Sequence, residues 1–204
     1  MPFERIRPAR YHGATKQERL DWLRRRVARC ENCPNLVKTR RKTVFGEGSL
    51  DAFVMLVGEA PGEDEDYFGR PFIGRAGKLL RQSLQDADIS LDDVYITNVL
   101  KCRPDPPLGQ ANRPPTKPEM DDCLPYLLAQ IEVVDPPVIV ALGATAISAL
   151  GSTSTISEAR GTNWVFRRKW DVVATYHPAF ILRSPSYKTE FLEDLEEAAR
   201  IAGV

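Results

Sequence analysis

Two cysteines three positions apart, Cys30 and Cys33, supply two thiolates from one turn, and Cys102 and Cys123 can complete a set of four. Four thiolates hold either zinc or an iron–sulfur cluster, and their number does not choose between the two. Twenty residues separate Cys102 from Cys123, so folding rather than local spacing must assemble such a site. A second concentration of chemistry follows the apolar run Phe53–Val57. Gly58 ends the run, and a polar loop then carries Glu59, Glu63, Asp64, Glu65 and Asp66 among Pro61 and Gly62. Five carboxylates beside glycines and an aromatic, Phe72, exceed what a connector needs and point to binding or catalysis. The loop is a poor phosphate cradle, because it lacks G-x-x-x-x-G-K-S/T and its acidic side chains repel an anion. Asn98 offers an acceptor and a donor side by side, and His177 keeps a ring N–H even when neutral.

These residues act together only if the chain brings them together. Phe53–Val57, Val94–Thr97, Val138–Leu142 and Val172–Thr175 are short apolar runs rich in β-formers, and predict four buried strands. Helices are predicted from Thr15, from about Gly74 to Asp88, from Thr116 to about Val134, briefly after Gly143, and from Lys188 to Ala202. Val44–Gly48 reads as a turn before the first strand. The stretch around Trp164–Phe166, with Arg167, Arg168 and Lys169 after it, reads as a hairpin or irregular strand pair. Strands alternating with helices imply an α/β fold with a central, mainly parallel four-stranded sheet covered on both faces. Glu59, Asn98, Gly143 and His177 each stand just past a strand end. A parallel sheet therefore sets them on one rim, where open α/β sheets bind ligands.

The chain of 204 residues suits one domain over 15–204, preceded by an arm over 1–14. Its 28 basic and 28 acidic residues cancel, so any nucleic-acid contact must come from local basic patches and not from a global field. No apolar run has the length of a membrane span, and the N-terminus has no hydrophobic signal core. The expected location is the cytoplasm, where cysteines more often bind metal or do chemistry than form disulfides.

The segments GEAPGEDED, GRPFIGRAG, YITN, KCRP and HPAF, with C-x-x-C upstream, resemble the family 4 uracil-DNA glycosylases of bacteria and archaea. The resemblance covers about Cys30 to Ser184, with the motifs in the family's order. It implies the uracil-DNA glycosylase fold, three layers α/β/α, and a 4Fe–4S cluster on Cys30, Cys33, Cys102 and Cys123 that serves structure and DNA docking; zinc is the alternative. The implied activity flips uracil out of DNA and hydrolyses its N-glycosidic bond. Uracil-containing DNA, single- or double-stranded, is the implied partner, with the protein a monomer at the nucleoid.

On that resemblance, Phe72 stacks on the flipped base, Asn98 reads its edge, and His177 donates to O2 as charge builds there. Glu59 orders the attacking water or stabilises the sugar cation, or binds through backbone beside Ala60. Glu65 walls off the methyl of thymine. Leu182, Arg183, Ser184 and Ser186 form a wedge and phosphate-contact loop. A related group carries a basic, histidine-bearing insertion between the last two cysteines, and that histidine captures the sugar covalently. Here the segment between Cys102 and Cys123 is longer than the family's but has no histidine, since the chain's two are His12 and His177. Turnover is therefore expected, against the alternative of a damage-binding protein that flips uracil without cutting.

Overall fold

The computed structural model describes residues 14–104 and 113–204. The expected arm, apart from residue 14, and the middle of the Cys102–Cys123 connection lie outside those residues. In chain order the elements are α1 (Lys16–Ala28), α2 (Pro34–Thr39), β1 (Glu47–Gly48), β2 (Val54–Gly58), α3 (Glu63–Phe68), α4 (Arg75–Asp86) and β3 (Val94–Asn98). There follow α5 (Lys117–Val134), β4 (Val138–Leu142), α6 (Ala144–Ala149), α7 (Ile156–Ala159), β5 (Trp164–Phe166), β6 (Trp170–Thr175), α8 (Pro178–Arg183) and α9 (Lys188–Ala202).

The strands form one sheet in the order β1-β3-β2-β4-β6-β5. The inner four run parallel, and they are the four expected. The sheet has six strands among the described residues, not four, because short antiparallel strands close both edges. One of them, β1, lies where a turn was expected. Two residues are too few to show a period, and only pairing to Tyr95 and Ile96 defines them as a strand. The other, β5, is the first arm of the anticipated hairpin; Arg167 and Arg168 turn it with φ of 51° and 60°.

Alternation along the inner strands divides the core. Met55, Val57, Tyr95, Ile139, Ala141, Val172 and Ala174 face the layer containing α1 and α5. Val54, Leu56, Val94, Ile96, Val138, Val140 and Val173 face the layer of α4, α8 and α9. The result is the three-layer α/β/α arrangement. In α1, Leu20, Leu23 and Val27 recur at helical spacing and are all buried, behind a capping box of Thr15 and Glu18.

Two expected loops are helical. Glu63–Phe68, inside the acidic stretch, forms α3: its first turn carries Glu63, Asp64, Glu65 and Asp66, and Gly69 closes it with φ 79°. Carboxylates there complement the helix N-terminus, so the charges that suggested a loop stabilise a helix. Leu182 and Arg183 lie in α8, Ser184 is its C-cap, and Ser186 sits in a 3₁₀ turn over Pro185–Tyr187. A helix of six residues is too short to show an apolar period, which hid this from pattern reading.

Phe72 takes a left-handed backbone conformation, φ 50°, just before α4. Gly77 makes that possible: a Cβ there would lie 1.7 Å from the Phe72 carbonyl oxygen. Gly77→Ala must push the Phe72 segment off the helix, and should lower unfolding free energy by about 1–3 kcal/mol, the usual overpacking cost. A urea midpoint equal to that of the parent would contradict this.

Candidate functional site

Register decides what meets at the carboxyl rim. Gly58 pairs with Asn98 across β2 and β3, Val57 with Ala141 across β2 and β4, and Leu142 with Thr175 across β4 and β6. The residues that follow therefore emerge side by side. Glu59, Ala60, Glu65, Phe72, Asn98, Gly143, His177 and Arg183 all line one cleft. Leu182, Ser184 and Ser186 do not line it, although they belong to the same segment. The cleft lies at the switch point between β2 and β4, where the connection after β2 runs to β3 on one side and the connection after β4 runs toward β6 and β5 on the other.

Asn98 ends β3 and is 2% exposed, yet its Oδ1 has no hydrogen-bond partner among the described residues. A buried amide oxygen left without a partner costs free energy, so a group that supplies a donor is favoured there. Gly58 lets this side chain approach: a Cβ at Gly58 would lie 2.4 Å from Asn98 Oδ1 and 2.5 Å from Phe72 Cζ. Phe72 packs into the core layer and also lines the cleft, so it is both core aromatic and cleft wall. Its ring centroid lies 5.7 Å from that of His177, tilted by 32°.

His177 caps α8, and its Nδ1 accepts from the backbone N–H of Ala179 at 3.1 Å. That bond reserves Nδ1 as an acceptor and leaves the neutral ring's proton on Nε2. Burial pushes the imidazole down to about 4, and the positive charge of Arg183 adds to the shift. Gly143, with φ 88°, passes close behind the ring's stem; a Cβ there would lie 3.1 Å from His177 Cβ. Glu59 is held by a short hydrogen bond from Thr145 Oγ1, in the first turn of α6. Nothing in the sequence singled out Thr145 beyond its place two residues after Gly143. Glu65 spends Oε1 on the backbone N–H groups of Ile73 and Gly74, both at 2.9 Å. It clamps α3 to the start of α4 and fixes that wall of the cleft.

The four cysteines line a second cavity. Cys30 follows α1, Cys33 caps α2, Cys102 lies beyond β3, and Cys123 is in α5, so the cavity joins segments far apart in sequence. Arg40 donates to Cys102 Sγ at 3.1 Å and to the Cys30 carbonyl at 2.7 Å, and the Lys101 N–H donates to Cys123 Sγ at 3.2 Å. Donors aimed at sulfur suit ligating thiolates. Burial pushes the Cys33 thiol up to about 11 and Cys123 up to about 12. Among the described residues, no three His, Cys, Asp or Glu side chains are grouped as a site for a single metal ion.

A family model described as the uracil DNA glycosylase superfamily matches residues 45–196, and the chain belongs to that superfamily. The type-4 uracil-DNA glycosylase of Thermotoga maritima is 45% identical over 190 residues, spanning 90% of this chain and 95% of that protein. Pyrobaculum aerophilum offers a contrast within one organism. Its type-4 uracil-DNA glycosylase is 40% identical over 184 residues, 86% of this chain and 91% of that protein. Its type-5 uracil-DNA glycosylase is 31% identical over 189 residues, 76% of this chain and 80% of that protein. Within the superfamily the chain belongs to the type-4 uracil-DNA glycosylases.

The depressed His177 pKa has a consequence for stability. Between about 4 and the ordinary value of 6.5, the unfolded chain takes up a proton at this residue that the folded chain refuses. Stability therefore rises with pH across that window and is lost as pH falls through it. Urea unfolding from pH 7 to pH 4 should show this dependence, and His177→Gln should remove its share. An imidazole that titrates near 6.5 by NMR would contradict the assignment.

Proposed function

We infer that this chain is a DNA repair enzyme, a monofunctional uracil-DNA glycosylase that flips uracil from DNA and hydrolyses the C1′–N1 bond, leaving an abasic site. One observation carries the reading: Asn98 lines the cleft with a buried Oδ1 that has no partner among the described residues. Uracil N3–H supplies that partner, and the Asn98 amide N–H donates to O4; cytosine reverses both positions. Phe72 offers its ring to the face of the base. His177 presents Nε2–H to O2, where negative charge gathers as the base departs. A neutral imidazole serves here, because the ring need only donate.

Glu59, oriented by Thr145, faces the sugar side of the cleft, with Ala60 beside it. It orders the attacking water and offsets charge on the sugar as the glycosidic bond breaks. The water oxygen bonds to C1′, the bonding pair leaves with N1, and a water proton passes to Glu59 or solvent. Glu65 holds the wall that excludes a C5 methyl. Arg183, exposed at the cleft mouth, meets phosphate; Leu182, Ser184 and Ser186 extend that contact along the strand.

The four cysteines hold a 4Fe–4S cluster. Their common cavity and the donors aimed at their sulfurs support thiolate ligation of a metal centre, and the resemblance to the type-4 enzymes favours the cluster over zinc. When bound, the cluster cross-links α1, α2, the end of β3 and α5, and supplies no redox step. No helix among the described residues is long and apolar enough to cross a membrane. The enzyme acts as a monomer on uracil-containing DNA, single- or double-stranded, in the cytoplasm at the nucleoid. With no histidine between Cys102 and Cys123, it releases its DNA.

The test is incubation with uracil-containing DNA, which should yield alkali-labile abasic sites and no protein–DNA adduct on a denaturing gel. Intact DNA after prolonged incubation would refute the activity. Asn98→Asp places an ionised acceptor against O4. It should lose uracil excision by at least roughly tenfold, the scale of a lost hydrogen bond to a buried group. A parent-like single-turnover rate would show that Asn98 does not read the base.

The metal assignment has its own outcome. Protein purified without oxygen should be brown and carry about four irons per chain. A colourless protein with one zinc would overturn it.

A further inference from the structure

Lys101 stands between the two sites and belongs to neither account. It is 1% exposed, among the most deeply buried charged side chains of the molecule. An ammonium taken from water is costly, and an apolar side chain of the same length would fill the space without that cost. The group is nevertheless held by two short bonds: Nζ donates to the Asn98 carbonyl at 2.7 Å and to Thr97 Oγ1 at 2.7 Å. Thr97 Oγ1 lies 3.0 Å from the Phe45 carbonyl and 3.2 Å from Gln130 Oε1, and Gln130 Nε2 donates to Phe45 O at 2.8 Å. The ammonium therefore anchors a buried polar network that includes the backbone of the residue reading the base.

The other end of the same residue touches the cysteine site. The Lys101 N–H donates to Cys123 Sγ at 3.2 Å, the next residue is Cys102, and Lys101 itself lines the four-cysteine cavity. The positive charge and the sulfurs thus share one peptide. Asn98 has little other freedom, because Gly58 lies against its side chain and Val99 N–H bonds to the Gly58 carbonyl at 2.9 Å.

We propose that Lys101 is a positioning residue for base recognition: its ammonium fixes Asn98 in the cleft and ties that residue to the four-cysteine site. The proposal rests on the reading that Asn98 contacts uracil. Removing the ammonium should free the Asn98 carbonyl, shift the placement of Oδ1 within a strand still paired to β2, and loosen the segment that presents Cys102.

The experiment compares the parent with Lys101→Met, which keeps length and removes the charge, and with Leu195→Ala. Leu195 is fully buried in the opposite layer and serves as a control for lost stability. Four quantities are read: the single-turnover rate on uracil-containing DNA, the KM for DNA, inhibition by free uracil, and the rate of iron loss to a chelator. Lys101→Met should weaken free-uracil inhibition and slow excision roughly ten- to a hundredfold, as expected for a lost hydrogen bond to a charged group. The KM for DNA should stay within about twofold, because uniform binding to the strand is untouched. Iron should leave faster than from the Leu195→Ala control at equal thermal stability. If Lys101→Met matches that control in rate and uracil inhibition, the lysine only supports the fold and the proposal fails. Iron loss without a change in uracil inhibition would overturn it equally. Should Lys101→Met not fold, Thr97→Val removes one of the two acceptors of the ammonium and is read by the same criteria. Asn98→Ala is run beside them: unchanged uracil inhibition there would refute the role of Asn98, a failure distinct from that of Lys101.

Discussion

The paired backbone ladders on either side of β2 are the constraint on which the rest depends. They fix β3 and β4 in parallel register, so that Gly58 stands beside Asn98 and Val57 beside Ala141. A slip of one residue would turn Val54 and Leu56 into the wrong layer and carry Asn98 away from the glycine that admits it. Because both faces of β2 are buried, such a slip exposes or mispacks the entire strand. The precision of the cleft is thus inherited from the packing of the two helical layers. Chemistry added at the rim needs no separate device to bring its parts together.

The rim itself departs from what stability alone would choose. Asn98 Oδ1 is buried without a partner among the described residues, Phe72 adopts a backbone conformation disfavoured for a side chain, and Lys101 seals its amine in the interior. Each is a local cost, and all three lie within one neighbourhood around β2 and β3. Such conflicts are expected where a protein must present polar groups to something other than itself. Elsewhere apolar residues fill both sheet faces, and buried charges such as Asp66, Glu119 and Asp194 have hydrogen-bond or ion-pair partners.

What could be read from the chain and what could not divide along physical lines. The inner strands were legible because each is a short, fully buried apolar run, and their ends located Glu59, Asn98, Gly143 and His177 without any coordinates. Helix α3 was not, because four consecutive acidic residues mimic a loop; dipole complementarity and the left-handed Gly69 are what make them helical. The segment after His177 was misread for lack of an apolar period in a helix of six residues. Thr145 and Lys101 were invisible for another reason. A threonine after a glycine and a lysine beside a cysteine carry no pattern, and a lysine is read by default as solvated. Only the tertiary arrangement shows one oriented against Glu59 and the other sealed beneath Asn98.

The short strands at the two margins have a consequence for the behaviour of the molecule in a crowded cell. A parallel sheet that ended at β3 and β6 would expose two five- or six-residue rows of unpaired peptide groups, each a template for a foreign strand. Instead β1 offers two residues and β5 three, and the second ends in a turn carrying Arg167, Arg168 and Lys169. So little backbone, flanked on one side by charged side chains that hold water, gives an intruding chain few hydrogen bonds. The margins thus act as terminators of sheet growth, a safeguard against amyloid-like association when the chain is newly made or briefly opened by heat.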